Sequence, residues 1–143
     1  MELLTIGIVS YLMGSIPFGL ILTKIFLKKD IRDIGSGNIG ATNALRTGNK
    51  FIGYSTLILD IVKAVIPVLY VKVNFPDLIY VSALCAFLGH VFPVWLKFKG
   101  GKGVATYVGI LFTINILLVF IFCLSCLLIF FISKYSYISS LIG

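Results

Sequence analysis

The sequence predicts an all-α, polytopic integral membrane protein: a bundle of four to five membrane helices joined by glycine-rich cytoplasmic loops. Three observations predict it. Of 143 residues, 59% are hydrophobic and only 12% are charged, where a soluble domain is about half apolar and a quarter charged. The apolar residues gather into four long stretches with almost no formal charge, and mean hydropathy is +1.11. The charges, net +7, collect between those stretches. Such a composition leaves nothing to build a water-facing shell. It also excludes disorder, which needs low hydrophobicity and high charge. The length fits one domain, residues 1–143.

The first stretch, residues 3–23, carries Gly14-Ser15-Ile16-Pro17-Phe18-Gly19. Pro17 removes a backbone donor, so a kink is expected there. Glu2 stands where the basic region of a signal peptide belongs and no small-residue cleavage site follows, so a span is expected rather than a leader. The second stretch, 51–71, is apolar apart from Asp60 and Lys63. They lie three apart on one helical face, where charges are costly and must pair or point into a polar interior. A structural ion pair and a direct substrate contact both satisfy that demand. The third stretch, 78–96, ends with His90, Pro93 and Trp95, the tryptophan suited to the membrane interface.

The fourth stretch runs from 103 to 133, 31 residues without a formal charge. As one helix it would extend about 46 Å against a hydrocarbon core of about 30 Å. It must tilt, protrude or break, and Thr113-Ile114-Asn115 is the expected break. Two short helices returning to the starting face are then the alternative to one long one.

Orientation follows from the loops. Residues 24–50 hold six Lys/Arg and 97–103 hold three, whereas the connector 74–77 holds none, although Lys72 borders it. The positive-inside rule places both basic loops in the cytoplasm and the N-terminus and connector outside. Their charge suits anionic headgroups or a phosphorylated substrate, not nucleic acid. Cys85, Cys123 and Cys126 lie inside apolar runs and fit apolar packing. No metal site and no cofactor are expected.

Two segments can carry chemistry. Gly35-Ser36-Gly37-Asn38-Ile39-Gly40-Ala41-Thr42-Asn43-Ala44-Leu45-Arg46 contains G-x-G-x-x-G, with Asp60 twenty residues after Gly40. A dinucleotide fingerprint needs a buried strand before it and a βαβ unit around it. Here Lys28-Lys29-Asp30 precedes and a span follows, which excludes that fold. The physical content remains: glycines let the backbone turn its N–H groups inward. Ser36, Gly37, Asn38, Thr42 and Asn43 add neutral donors, and Arg46 a planar cationic fork for phosphate. An ordinary solvated loop is the bland reading.

The second segment is Gly89-His90-Val91-Phe92-Pro93 followed by Lys97-Phe98-Lys99-Gly100-Gly101-Lys102-Gly103-Val104-Ala105-Thr106. Lys102, flanked by Gly101 and Gly103 just before an apolar helix, joins an ammonium to free N–H groups at the positive end of a helix dipole. Lys97 and Lys99 fit a topology signal. His90, the single histidine, serves equally as a structural hydrogen-bonding residue or a base.

Taken together, Gly14–Gly19, Gly35–Arg46, Leu59-Asp60-Ile61-Val62-Lys63 with Pro67, Gly89–Pro93 and Gly100–Thr106 resemble the bacterial acyl-phosphate:glycerol-3-phosphate acyltransferases, the PlsY family. The resemblance spans nearly the whole chain. It implies a plasma-membrane enzyme that transfers a fatty acyl group from acyl phosphate to the 1-hydroxyl of glycerol 3-phosphate. The products are lysophosphatidate and phosphate, the first step of phospholipid biosynthesis. By that resemblance Ser36 and Arg46 match the family's essential serine and arginine. Gly100, Gly101, Lys102 and Gly103 match its glycerol-3-phosphate-binding loop. Ser140, after Ser139 in place of a glycine, matches a serine that helps hold phosphate. The family pattern ends in a further cytoplasmic motif, H-x-x-N-I-x-R-L-x-x-G-x-E, with no counterpart within these 143 residues. The alternative expectations are a truncated or divergent relative that binds glycerol phosphate without turnover and, from the charges at Asp60 and Lys63, a small anion transporter.

An acyl phosphate is a mixed anhydride with a good leaving group, so the protein's main task is to hold two anions close and stabilise charge. Arg46, Lys102 and the glycine-loop amides suit that task. Ser36 is expected to contact phosphate or carbonyl oxygen rather than act as a nucleophile. His90 or a substrate phosphate oxygen takes the alcohol's proton. The acyl tail is expected between helices, reached from the bilayer. Ser140 can join a cytoplasmic site only if residues 103–133 make a return trip.

Overall fold

Within a bilayer each backbone N–H and C=O must be satisfied inside its own segment, so apolar runs such as these have to be helical. The computed structural model describes residues 1–133; Ser140 and the stretch around it lie outside the described residues. Among the described residues seven α-helices follow one another: α1 Glu2–Gly14, α2 Phe18–Leu27, α3 Ala41–Leu45, α4 Lys50–Asn74, α5 Ile79–Val91, α6 Val104–Ile114 and α7 Ile116–Ser133. Among the described residues there is no strand. The run Glu2–Leu27 and the run Pro76–Leu96 are each long and apolar enough to cross a membrane. Helix α4, at 25 residues, extends about 37 Å at the helical rise.

The expected interruption of the first stretch falls at Ser15–Pro17, between α1 and α2. The long fourth stretch breaks at Asn115, whose backbone is extended and whose Oδ1 accepts the Leu117 N–H at 2.9 Å to restart the helix. The Tyr107 and Phe122 rings meet edge to face at 5.2 Å. In a straight helix residues 15 apart would be about 22 Å apart, so α6 and α7 fold back as a hairpin. Lys72 donates from Nζ to the Thr113 and Ile114 carbonyls at 2.6 and 3.3 Å. A cation at the carbonyl end of α6 answers its dipole.

Helices α1 and α5 run side by side in the same direction on small residues. Ser10 and Ser82 share a hydrogen bond of 2.8 Å, Gly14 lies on the backbone of Ala86, and Gly89 lies on that of Tyr11. Gly109 lets α6 reach α4, where a Cβ would stand 2.6 Å from the Ile61 carbonyl oxygen. Small residues permit such backbone approach where apolar bulk gives helices no reason to associate. Large apolar side chains such as Leu4, Ile8, Ile58, Tyr80 and Leu124 face outward, which suits lipid.

One buried cluster positions the site. Leu20 of α2, Ile31, Ile39 and Ala44 of the first basic loop, Ile52 of α4 and Leu96 after α5 pack together. Both basic loops therefore sit at the same end of the bundle. A second cluster, Ala64 and Val68 with Ala83, Ala86 and Ile110, ties α4, α5 and α6 together.

Candidate functional site

The first basic loop is organised from within. Asp30 opens it by accepting hydrogen bonds from the Arg32 backbone N–H at 3.0 Å and from its guanidinium at 2.9 and 2.7 Å, with Lys24 at 3.5 Å. The Arg32 guanidinium thereby holds the Asp30 carboxyl well below the usual carboxylate range. Gly35 and Gly37 follow with φ of +54° and +71°, a region that side chains beyond glycine disfavour. They bracket Ser36, which is exposed.

Asn43, expected as a donor to phosphate, is turned inward instead. Its side chain is 2% exposed. Its amide nitrogen donates to the carbonyls of Ile31, Ile34 and Asn38 at 3.0, 2.9 and 2.8 Å. Its Oδ1 accepts the Ser36 N–H at 3.0 Å. Asn38 likewise works inside the loop, its Oδ1 accepting the Gly40 N–H at 2.9 Å. Thr42 and Arg46 are exposed. The Arg46 side chain lies across Gly35, where a Cβ would stand 2.9 Å from its Cδ and 3.5 Å from its Nη1. The guanidinium is thus set beside the residue preceding Ser36.

The second loop is folded onto the end of α5. Gly100 N–H donates to the Val91 carbonyl at 3.0 Å and Gly101 N–H to the His90 carbonyl at 3.1 Å. A side chain at Gly100 would meet the carbonyl oxygens of His90 and Val91, and one at Gly101 would meet the His90 ring. Gly103 has φ +82° and lies against the Phe87 ring. Lys102 is exposed at the start of α6.

Beneath this loop lies a buried polar group. Lys63 Nζ stands 2.8 Å from Asp60 Oδ1, 2.9 Å from His90 Nδ1 and 2.7 Å from the Ile16 carbonyl oxygen. All three side chains are at most 3% exposed. Ile16 is available because the helix is interrupted there: among the described residues its carbonyl otherwise receives only the Phe18 N–H of the turn. The Phe18 ring lies 5.9 Å from the ammonium. Sequence reasoning anticipated the Asp60–Lys63 pair but missed Ile16; the available signal was Pro17 among Gly14, Ser15 and Gly19, a combination that disfavours a continuous helix and so frees carbonyls nearby. Ser15 is a second omission, its Oγ accepting the Trp95 indole N–H at 2.9 Å and donating to the Leu12 carbonyl at 2.8 Å. Among the described residues no three of His, Cys, Asp and Glu gather as metal ligands.

A helical bundle sheathed in apolar side chains, with its cationic glycine-rich loops drawn together at one end, defines a polytopic membrane protein. Comparison with known proteins makes the class specific. The chain belongs to the glycerol-3-phosphate acyltransferase family, whose profile matches residues 4–143. It is 73% identical over 143 residues to the glycerol-3-phosphate acyltransferase of Pelagibacter ubique, covering 100% of this chain and 75% of that protein. It is 52% identical over 140 residues to the corresponding protein of Allorhizobium ampelinum, covering 94% of this chain and 67% of the other. The fold is similar to the crystal structure of PlsY (YgiH), an integral membrane glycerol 3-phosphate acyltransferase, in its glycerol 3-phosphate form. That match has a TM-score of 0.87 at 37% identity and covers 98% of this chain and 71% of the other.

Proposed function

We propose that this protein transfers a fatty acyl group from acyl phosphate to the 1-hydroxyl of glycerol 3-phosphate, at the cytoplasmic face of a bacterial plasma membrane, with the N-terminus outside. The observation that carries the reading is the shared core of the two basic loops, Leu96 packed with Ile31, Ile39 and Ala44. It draws the loops of Arg46 and Lys102 to one end, as the capture of two anions requires.

In the reaction the alcohol oxygen attacks the acyl carbonyl carbon and the bond from that carbon to the phosphate oxygen breaks. An ester and inorganic phosphate result. Repulsion between two phosphates opposes the encounter, and the cations offset it by ionic hydrogen bonds worth more than neutral ones. We assign Arg46, with the Ser36 hydroxyl beside it, to one phosphate, and Lys102 with the Gly100–Gly103 amides to the other. Gly37 and Thr42 complete the first pocket, Ser140 is assigned to phosphate, and Asp60, Lys63 and His90 support from below. The alcohol proton goes to a phosphate oxygen of the leaving group. The acyl tail enters between helices from the surrounding lipid.

The test is turnover of the purified full chain in detergent, given acyl phosphate and glycerol 3-phosphate. Lysophosphatidate and inorganic phosphate should form in equal amounts, and Arg46→Ala should lower kcat/KM by about 100-fold or more, the scale of losing a charge-stabilising donor. Tight glycerol phosphate binding without product would overturn the reading in favour of a non-catalytic relative. Uptake of the anion into sealed vesicles would overturn it in favour of transport.

A further inference from the structure

We propose that Asp60, Lys63 and His90 form a buried positioning relay that holds the imidazole with its Nε2–H beneath the Gly100–Gly103 loop, where it shapes the loop for a phosphate monoester instead of accepting the reaction's proton. The inference rests on the acyl-transfer reading and names how one of its two anion loops is kept in shape.

Lys63 Nζ has three N–H bonds and no acceptor capacity. Its hydrogen bonds go to the Ile16 carbonyl at 2.7 Å and to His90 Nδ1 at 2.9 Å, while Asp60 Oδ1, 2.8 Å away, pairs with it as an ion without a hydrogen bond. An ammonium can only donate, so Nδ1, which it bonds, presents its lone pair to Lys63. A neutral imidazole carries one proton, and with Nδ1 occupied that proton is on Nε2. The ring then has no lone pair left with which to take a proton from an alcohol.

The other edge of the ring faces the loop. Gly101 lies directly on it, so that a Cβ there would stand 2.9 Å from His90 Cε1 and nearer still to Nε2. The same residue's N–H donates to the His90 backbone carbonyl at 3.1 Å. Side chain and main chain of His90 therefore both define the path of Gly100 and Gly101, and Lys102 follows immediately. Asp60 supplies the compensating charge that lets Lys63 sit at 3% exposure inside a helical bundle. The interruption at Ser15–Pro17 supplies the last acceptor. Relay, kink and loop are one construction: remove the kink and the ammonium loses the Ile16 carbonyl.

His90 is the single histidine, which makes the test direct. The full chain, labelled with nitrogen-15 in its imidazole and held in nanodiscs at neutral pH, should show one protonated ring nitrogen, Nε2, and one bare nitrogen, Nδ1. Adding glycerol 3-phosphate should move the Nε2 signal more than the Nδ1 signal. In kinetics, His90→Gln retains an acceptor for Lys63 and a planar polar group beneath Gly101, and should keep kcat within about tenfold, whereas loss of a general base costs about 100- to 10,000-fold. His90→Leu retains neither and should raise KM for glycerol 3-phosphate by about tenfold or more, the scale of one lost charge-assisted hydrogen bond. A proton on Nδ1, an Nε2 signal indifferent to the ligand, or a 100-fold fall in kcat for His90→Gln at unchanged KM each overturns the relay. If the parent protein shows no acyl transfer, the functional reading fails while the tautomer and its response to ligand still decide this one.

Discussion

A carboxamide inside a loop can donate and accept at once, and Asn43 uses both capacities. Three carbonyls and the Ser36 N–H converge on it within 3.0 Å. Asn43→Asp keeps the shape but aims a carboxylate at three carbonyl oxygens. An unsatisfied buried group costs about 1–3 kcal/mol, more when charged. We predict a fall in Tm of the detergent-purified protein of several degrees together with a loss of turnover of about 100-fold or more. A variant that keeps its Tm and loses only glycerol 3-phosphate affinity would show Asn43 to be a ligand contact after all. The inward turn was not legible in the sequence, because Asn43 stands among Ser36, Asn38 and Thr42 as one more small polar residue. Its partners Ile31 and Ile34 lie 12 and 9 positions upstream, and only folding brings them to it. Asp30 gives a second test. Its carboxyl is held low by Arg32 and Lys24, so the pair's contribution is fully present above the unfolded carboxylate's value near 4 and is lost as pH falls through the folded one. Between pH 8 and 5, Asp30→Asn should therefore show a constant deficit of at most about 1 kcal/mol. Parent and variant should converge only below about pH 4, as read by thermal unfolding across a pH series; a deficit that changes between pH 8 and 5 would count against the pair.

At the scale of elements, glycines on one helix separate into two kinds. Gly14 faces the Ala86 backbone, with a Cβ position 2.8 Å from the Ala86 Cα; Gly7 faces only the Cys85 sulfur at 3.5 Å, an ordinary contact. Helix propensity alone favours alanine over glycine by about 0.5–1 kcal/mol at either position. Packing reverses the sign at Gly14, because backbone cannot yield as a side chain end can, and overpacking costs about 1–3 kcal/mol. Gly7→Ala should leave Tm unchanged or slightly raised, and Gly14→Ala should lower it; equal effects at both sites would refute the close approach of α1 and α5. Much at this scale could be read beforehand. The interruption at Pro17 is expected from its missing N–H beside Gly14, Ser15 and Gly19, although Pro67 sits inside α4 without breaking it, and the break at Asn115 from a run too long for a bilayer. What could not be read was the use of each break: Ile16 as an acceptor for Lys63, and Lys72 as the cation on the α6 terminus. Both contacts join residues more than 40 positions apart, beyond any local pattern.

For the whole molecule, charge asymmetry and packing agree in gathering the two cationic loops at a single end. Charge counting places loops 24–50 and 97–103 on one side, and the cluster of Ile31, Ile39 and Ala44 with Leu96 brings them into contact there. The first conclusion needs only the bilayer's rule about cations. The second needs the fold, since Leu96 and Ile31 are joined by tertiary packing alone. Together they make a prediction independent of catalysis. Lys28 and Lys97 are exposed at that end, and Asp77, in the short 3₁₀ turn Pro76–Leu78 between α4 and α5, is exposed at the other. Cysteine introduced singly as Lys28→Cys, Lys97→Cys or Asp77→Cys can be challenged with a membrane-impermeant maleimide, the unmodified protein giving the background of Cys85, Cys123 and Cys126. In right-side-out vesicles Asp77→Cys should label and the two lysine variants should not; in inside-out vesicles the pattern should invert. Labelling of Lys28→Cys and Lys97→Cys from opposite sides would separate the loops that carry Arg46 and Lys102, and no shared site for two phosphates could then exist. Labelling of both from outside would keep the proposed site and reverse the orientation, turning the cationic end away from the compartment in which the positive-inside rule places it.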